Sequence, residues 1–135
     1  MIFHYFRLFL LTFVVFFAVD LLWLGVVARK VYVYFLGSLL REPVNWSAAF
    51  IFYLLFIIGL IIFCIDPAIK QTSISQAFIK GALFGFFTYM TYELTNLAVL
   101  KNWPLGVVFI DIAWGTILCS LVSGLSVWLY LQFLR

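Results

Sequence analysis

The chain has 135 residues, of which 67% are hydrophobic and 10% charged, with a net charge of +3 and a mean hydropathy of +1.23. Soluble domains average about 45–50% apolar and about 25% charged residues, and a small soluble body needs a polar skin that eight basic and five acidic side chains cannot supply. The composition excludes a soluble enzyme domain, a disordered tail and a nucleic-acid-binding module, and leaves an integral membrane protein.

A membrane-spanning helix takes about 20 residues, so six spans with loops do not fit and four do. The first runs over residues 3–28. Its apolar stretch is too long for a signal peptide, no A-x-A-like site follows it, and Arg29-Lys30 closes it, so it reads as an uncleaved span. Residues 29–45 are too short and too charged to cross. Their tyrosines suit the headgroup region, which predicts a short interfacial helix or re-entrant turn stopped at Pro43. The second span covers 46–65 and is ended by Asp66-Pro67. It carries no chemistry and is expected to be the most lipid-exposed helix. The third, over 75–100, is the most polar, with Lys80, Thr88, Tyr89, Thr91, Tyr92, Glu93, Thr95 and Asn96. A Lys101-Asn102-Trp103-Pro104 turn leads to the fourth, over 105–134, whose N-terminus suits Pro104.

These elements predict an all-α integral membrane fold: one domain over 1–135, built as a four-transmembrane-helix bundle with a short interfacial segment between helices 1 and 2. Both termini then share one side. The basic residues divide evenly, with Arg7, Lys70, Lys80 and Arg135 facing Arg29, Lys30, Arg41 and Lys101, so the positive-inside rule assigns no side.

Of the five acids, Glu42 and Asp66 fall in loops, while Asp20, Glu93 and Asp111 fall within spans. An ionisable residue inside a span marks a functional site by default, because its burial in lipid costs several kcal/mol. Asp20 precedes Arg29 by nine residues, Glu93 precedes Lys101 by eight, and Asp111 follows Pro104 by seven. At 1.5 Å per residue the three carboxyls lie roughly 10–14 Å from one membrane face, at one level on three helices. Trp23 and Trp114 each follow an Asp by three residues, and so face the same level. Tyr89, Glu93 and Asn96 continue a stripe begun by Gly81 and Gly85. Gly81 and Gly85 on one helix, and Gly115, Cys119 and Ser123 on another, offer small-residue ridges that pack the third and fourth spans together and bring Glu93 near Asp111. Trp46, Trp103 and Trp128 read as interface anchors.

Carboxyls that share a low-dielectric site cannot all ionise cheaply. No basic residue shares their depth, so the cluster is expected to hold a proton, bind a cation or open to water. The plainer reading makes the acids neutral ties between helices, bonded to Trp, Tyr and Asn side chains. Three acids at one depth favour function. Cys64 and Cys119 lie in apolar runs and read as buried small hydrophobes, and His4 stands alone, so no metal site, disulfide or cofactor is expected.

The stretch Tyr92-Glu-Leu-Thr-Asn-Leu-Ala-Val-Leu-Lys-Asn-Trp-Pro104, the Asp111-Ile-Ala-Trp-Gly115 element and the Asp20-Leu-Leu-Trp-Leu-Gly25 element together resemble the DUF2177 family of small bacterial predicted membrane proteins. The resemblance covers nearly the whole chain. The family pattern carries Asp at the position of Glu93, so the acid is kept and its reach lengthened by one methylene. The resemblance implies a four-span protein of the bacterial inner membrane and brings no activity with it.

Three functions fit these residues. The first is an acidic pocket that binds or carries a small cationic or amphipathic ligand with proton exchange, formed by Asp20, Glu93 and Asp111 and shaped by Tyr89, Tyr92, Asn96, Trp23 and Trp114. Four helices are few for alternating access, so carriage calls for a homodimer. The second is a membrane enzyme that uses carboxyl acid–base chemistry on a lipid or apolar substrate. The third is an accessory subunit in which the acids hold helices together. Membrane lipid surrounds the protein in each case, and nucleic acid plays no part.

Overall fold

The computed structural model describes residues 1–40 and 44–135, and all regular structure among them is helical. Helix α1 (Ile2–Trp23) passes through one π-helical turn (Leu24–Ala28) into α2 (Arg29–Leu36) and a short 3-10 turn (Gly37–Leu39). In place of a separate segment between the first two spans, residues 29–39 thus continue the first helix. The stop expected at Pro43 lies outside the described residues. The physical reason is simple: Arg29-Lys30 ends an apolar stretch, but Arg and Lys are good helix formers and do not end a helix.

Asn45 caps α3 (Trp46–Leu60), its side chain accepting from the Ala48 N–H at 3.2 Å. Sequence reading ends this span at Asp66-Pro67, but the chain runs on through a π-helical turn (Ile61–Ile65) into α4 (Asp66–Lys70). Inside an α-helix a proline ring crowds the carbonyl four residues back. Here the wider turn, with the Asp66 N–H bonded to the Ile61 carbonyl, places Pro67 in the first turn of α4, where it is tolerated. Asp66 therefore starts a helix instead of lying in a loop, and pairs with Lys70 at 3.0 Å.

Helix α4 ends at Lys70, and Thr72, two residues on, adopts φ 50°. The Thr72 N–H bonds Ile69 O and the Ser73 N–H bonds Ala68 O, each at 3.0 Å, in a left-handed helix stop usually made by glycine. The Ser73 hydroxyl then accepts from the Gln76 N–H at 3.3 Å and caps α5 (Ile74–Val99). Asn102, at φ 60°, reverses the chain into Pro104 and α6 (Leu105–Leu129), which a final π-helical turn extends to Leu134. These two helices, over 74–99 and 105–134, lie within a residue of the 75–100 and 105–134 stretches read from sequence.

Among the described residues, three stretches are long and apolar enough to cross a membrane: Ile2–Leu39, Trp46–Lys70 and Leu105–Leu134. The chain is an all-α membrane protein. Helix α5 has 26 residues and is more polar. Helices α5 and α6 make the most extensive contact of the bundle, as the glycine ridges predict. A Cβ on Gly81 would meet the Cys119 carbonyl oxygen, and one on Gly85 the Gly115 carbonyl oxygen, so the two backbones approach as closely as glycine permits. Helix α1 packs on α6 through a core that includes Leu8, Phe16, Leu118 and Val122. The expectation that the second span is the most exposed is not met. Of its most apolar window 28% is buried, against 22% for the first span. Its burial is uneven: Trp46–Phe56 contributes no buried residue, while Ile57, Leu60, Ile61, Cys64 and Ile65 enter the core. The upper half of α3 therefore stands away from α5.

The ends of the chain meet at one end of the bundle. Arg7 donates to the Leu134 carbonyl at 2.9 Å, and the Tyr130 hydroxyl lies 3.1 Å from His4 Nδ1. The other end holds α2 and the turn between α5 and α6.

Candidate functional site

The three acids expected within spans are buried: Glu93 is 0% exposed, Asp20 7% and Asp111 6%. Glu93 and Asp111 come together, because the close approach of α5 and α6 at Gly85–Gly115 carries on towards the connecting turn. Their carboxyls are close enough to interact electrostatically. Trp103, in that turn, donates its indole N–H to Glu93 Oε2 at 2.8 Å. Glu93 Oε1 is buried with no hydrogen-bond partner among the described residues. A proton shared with Asp111 would give that oxygen the partner it lacks.

Tyr32 of α2 donates its hydroxyl to Asp111 Oδ1. Helix α2 is held over the start of α6, where Phe35 fills the space beside Gly106. The continuity of the first helix through its π-helical turn makes this contact possible. Sequence reading sent Tyr32 to the headgroups and Trp103 to an interface anchor, and so missed both contacts.

Asp20 lies apart from the Glu93–Asp111 pair. It accepts from the Tyr53 hydroxyl of α3 at 3.4 Å. Tyr89 links the two places: its ring packs on Gly115, and it lies within electrostatic reach of Asp20, Tyr32 and Asp111. The indoles of Trp23 and Trp114 stack, with centroids 4.4 Å apart and planes 10° from parallel, and so close one side of the carboxyl level. The Trp23 N–H is buried and has no hydrogen-bond partner among the described residues. The ring of Tyr92 meets that of Trp103 edge-on at 6.3 Å, and Asn96 lies beside it. Both are more exposed than Glu93. Of the eight positions singled out from sequence, Asp20, Glu93 and Asp111 are buried, Trp23 stacks on Trp114, Tyr89 packs on Gly115, and Tyr92 and Asn96 are more exposed. Tyr32, Tyr53 and Trp103 complete the set.

Among the described residues no Lys or Arg pairs with these three acids; the ion pair seen is Lys70–Asp66, at the other end of the bundle. Nor does any group of three His, Cys, Asp or Glu there suit a metal ion. Cys64 and Cys119 are buried free thiols. Chemically the site offers two facing carboxyls, one phenol donor, one indole donor and an aromatic wall. Such a set can hold a proton between acids or surround a cation with carboxylate and ring faces.

A family model described as a predicted membrane protein, DUF2177, matches residues 5–128. No curated protein and no solved structure matches the chain.

Proposed function

The chain belongs to the DUF2177 family of predicted membrane proteins, and on that premise we propose a four-span protein of the bacterial inner membrane whose Glu93–Asp111 pair binds a small cationic or amphipathic ligand in exchange for a proton. The observation that carries this reading is the state of Glu93: fully buried, held by Trp103 on one oxygen and close to a second acid, with no partner for its other oxygen and no paired Lys or Arg among the described residues. A buried acid pair of this kind can keep one proton, and a cation that replaces the proton satisfies both carboxyls. Tyr32, Tyr89, Tyr92, Trp23 and Trp114 supply ring faces suited to an ammonium group.

Helix α5 serves as the fourth span in this account. Its 26 residues reach about 39 Å, beyond the roughly 30 Å of the hydrocarbon core. Its one acid, Glu93, is buried, and Thr88 and Thr91 satisfy their hydroxyls on the Phe84 and Phe87 carbonyls, so its lower hydropathy is compatible with a span. Impermeant thiol labelling of single cysteines placed at Gln71 and Asn102, in a background without Cys64 and Cys119, tests the span. Labelling from opposite faces is expected, and labelling from one face contradicts it.

The binding itself is tested with purified protein in phosphatidylcholine nanodiscs. Dodecylamine should bind, while dodecyl sulfate and dodecyl glucoside should not. Glu93→Gln and Asp111→Asn should each weaken dodecylamine by about tenfold or more, the loss of one charge–charge contact of about 1.4 kcal/mol. Equal binding of the three amphiphiles removes the proposal.

A further inference from the structure

An open groove of about 690 Å³ lies between the upper half of α3 and α5, lined by Phe52, Leu55, Phe56, Phe84, Tyr89 and Tyr92 with Thr88. Pockets that hold small organic ligands span about 300–1,000 Å³ and are mostly apolar with a few polar groups, and this groove has that character. Its origin is the uneven burial of α3, whose lower turns join the core while Trp46–Phe56 stands off. Thr88 offers little to a ligand, because its hydroxyl already donates to the Phe84 carbonyl at 2.8 Å.

The groove and the acid site share two residues. Tyr89 lines the groove, packs on Gly115 and reaches Asp20 and Asp111 electrostatically. Tyr92 lines it too, and its ring meets Trp103, whose N–H holds Glu93. An apolar surface thus ends at Tyr89 and Tyr92, and these two rings stand between it and the buried acid pair. We infer that the ligand is a single-chain alkylammonium amphiphile taken from the bilayer, its chain in the α3–α5 groove and its ammonium head at the Glu93–Asp111 pair.

Charge complementarity selects that occupant. The carboxyls favour a cation, and the rings of Tyr89, Tyr92, Trp23 and Trp114 favour an ammonium head. A phospholipid brings a phosphate, which two carboxyls repel. The groove adds little hydrophobic driving force, since lipid tails are already apolar. It acts through shape, by holding the chain where the head meets the acids.

This inference rests on the acidic-site reading, and one experiment separates their failures. A dodecylamine analogue with a diazirine at the far end of the chain is photolysed on the protein in phosphatidylcholine nanodiscs, and its adducts are mapped by mass spectrometry. Adducts on Phe52–Phe56 and Phe84–Thr88, displaced by excess dodecylamine and lost in Glu93→Gln, are expected. Leu55→Trp, or Phe52→Trp should the first fold poorly, should weaken dodecylamine by about tenfold and leave butylamine within about twofold. Adducts scattered over the lipid-facing surface, with amine binding still dependent on Glu93, overturn the groove and leave the acidic site standing. Adducts in the groove that ignore Glu93→Gln overturn the link between groove and head. Absence of any amine binding overturns both.

Discussion

The indole N–H of Trp103 meets the carboxyl of Glu93 at 2.8 Å across the turn that joins α5 to α6. The contact ties a loop to a fully buried acid. Trp103→Phe keeps the ring and removes the donor, leaving a buried acceptor unsatisfied at a cost of about 1–3 kcal/mol. The thermal midpoint in detergent should fall. In a Glu93→Gln background the same substitution should cost measurably less, with a coupling of at least about 0.5 kcal/mol. Additive effects would show that the two side chains do not act on each other.

Tyr32 anchors α2 to Asp111. Tyr32→Phe should free α2 from the start of α6, since Phe35 beside Gly106 is the other nearby hold. Hydrogen exchange of residues 29–36 should quicken, while exchange in α5 stays as it was. Unchanged exchange in α2 would show that the phenol contributes nothing to its docking.

The glycines separate close contact from open space. Gly85→Leu drives a side chain into the Gly115 backbone and should destabilise the α5–α6 pair by roughly 1–3 kcal/mol or more. A Cβ on Gly25 meets nothing within 4 Å, so Gly25→Ala should be tolerated. Thermal unfolding of the two variants checks the contrast, and similar losses in both would contradict the packing.

Thr72 occupies a left-handed position that suits glycine. Thr72→Gly should raise stability by about 1 kcal/mol by removing the crowding of a β-branched side chain at positive φ. Ser73→Ala should lower it by about 1 kcal/mol through loss of the α5 cap. A Thr72→Gly variant less stable than the parent would contradict the strain.

Particular residues show what the sequence makes legible. The place of Asp20, Glu93 and Asp111 along their helices follows from their spacing to loop residues, because a helix rises evenly. The pairing of Glu93 with Asp111 follows from the glycine ridges, because only small residues let helices approach so closely. The separate place of Asp20 does not follow, since depth leaves rotation about the helix axis open. Tyr32 and Tyr53 escape for related reasons. Tyr32 reaches Asp111 only because the first helix continues through a π-helical turn, and neither that turn nor the one before Pro67 leaves a mark in composition. Tyr53 sits in a helix with no polar stripe to mark its inner face. Trp103 carried a signal that could have been used: it follows Asn102, a residue that tolerates the left-handed conformation and folds the turn back over α5.

In the proposed function a cation replaces a proton held by the Glu93–Asp111 pair. Dodecyltrimethylammonium carries a charge that does not titrate, so any proton released on binding comes from the protein. Calorimetric titration in two buffers of different ionisation enthalpy measures that release. A binding enthalpy that differs between the buffers, an affinity that rises with pH, and the loss of both effects in Glu93→Gln are expected. An enthalpy independent of buffer, with an affinity independent of pH, would contradict this replacement.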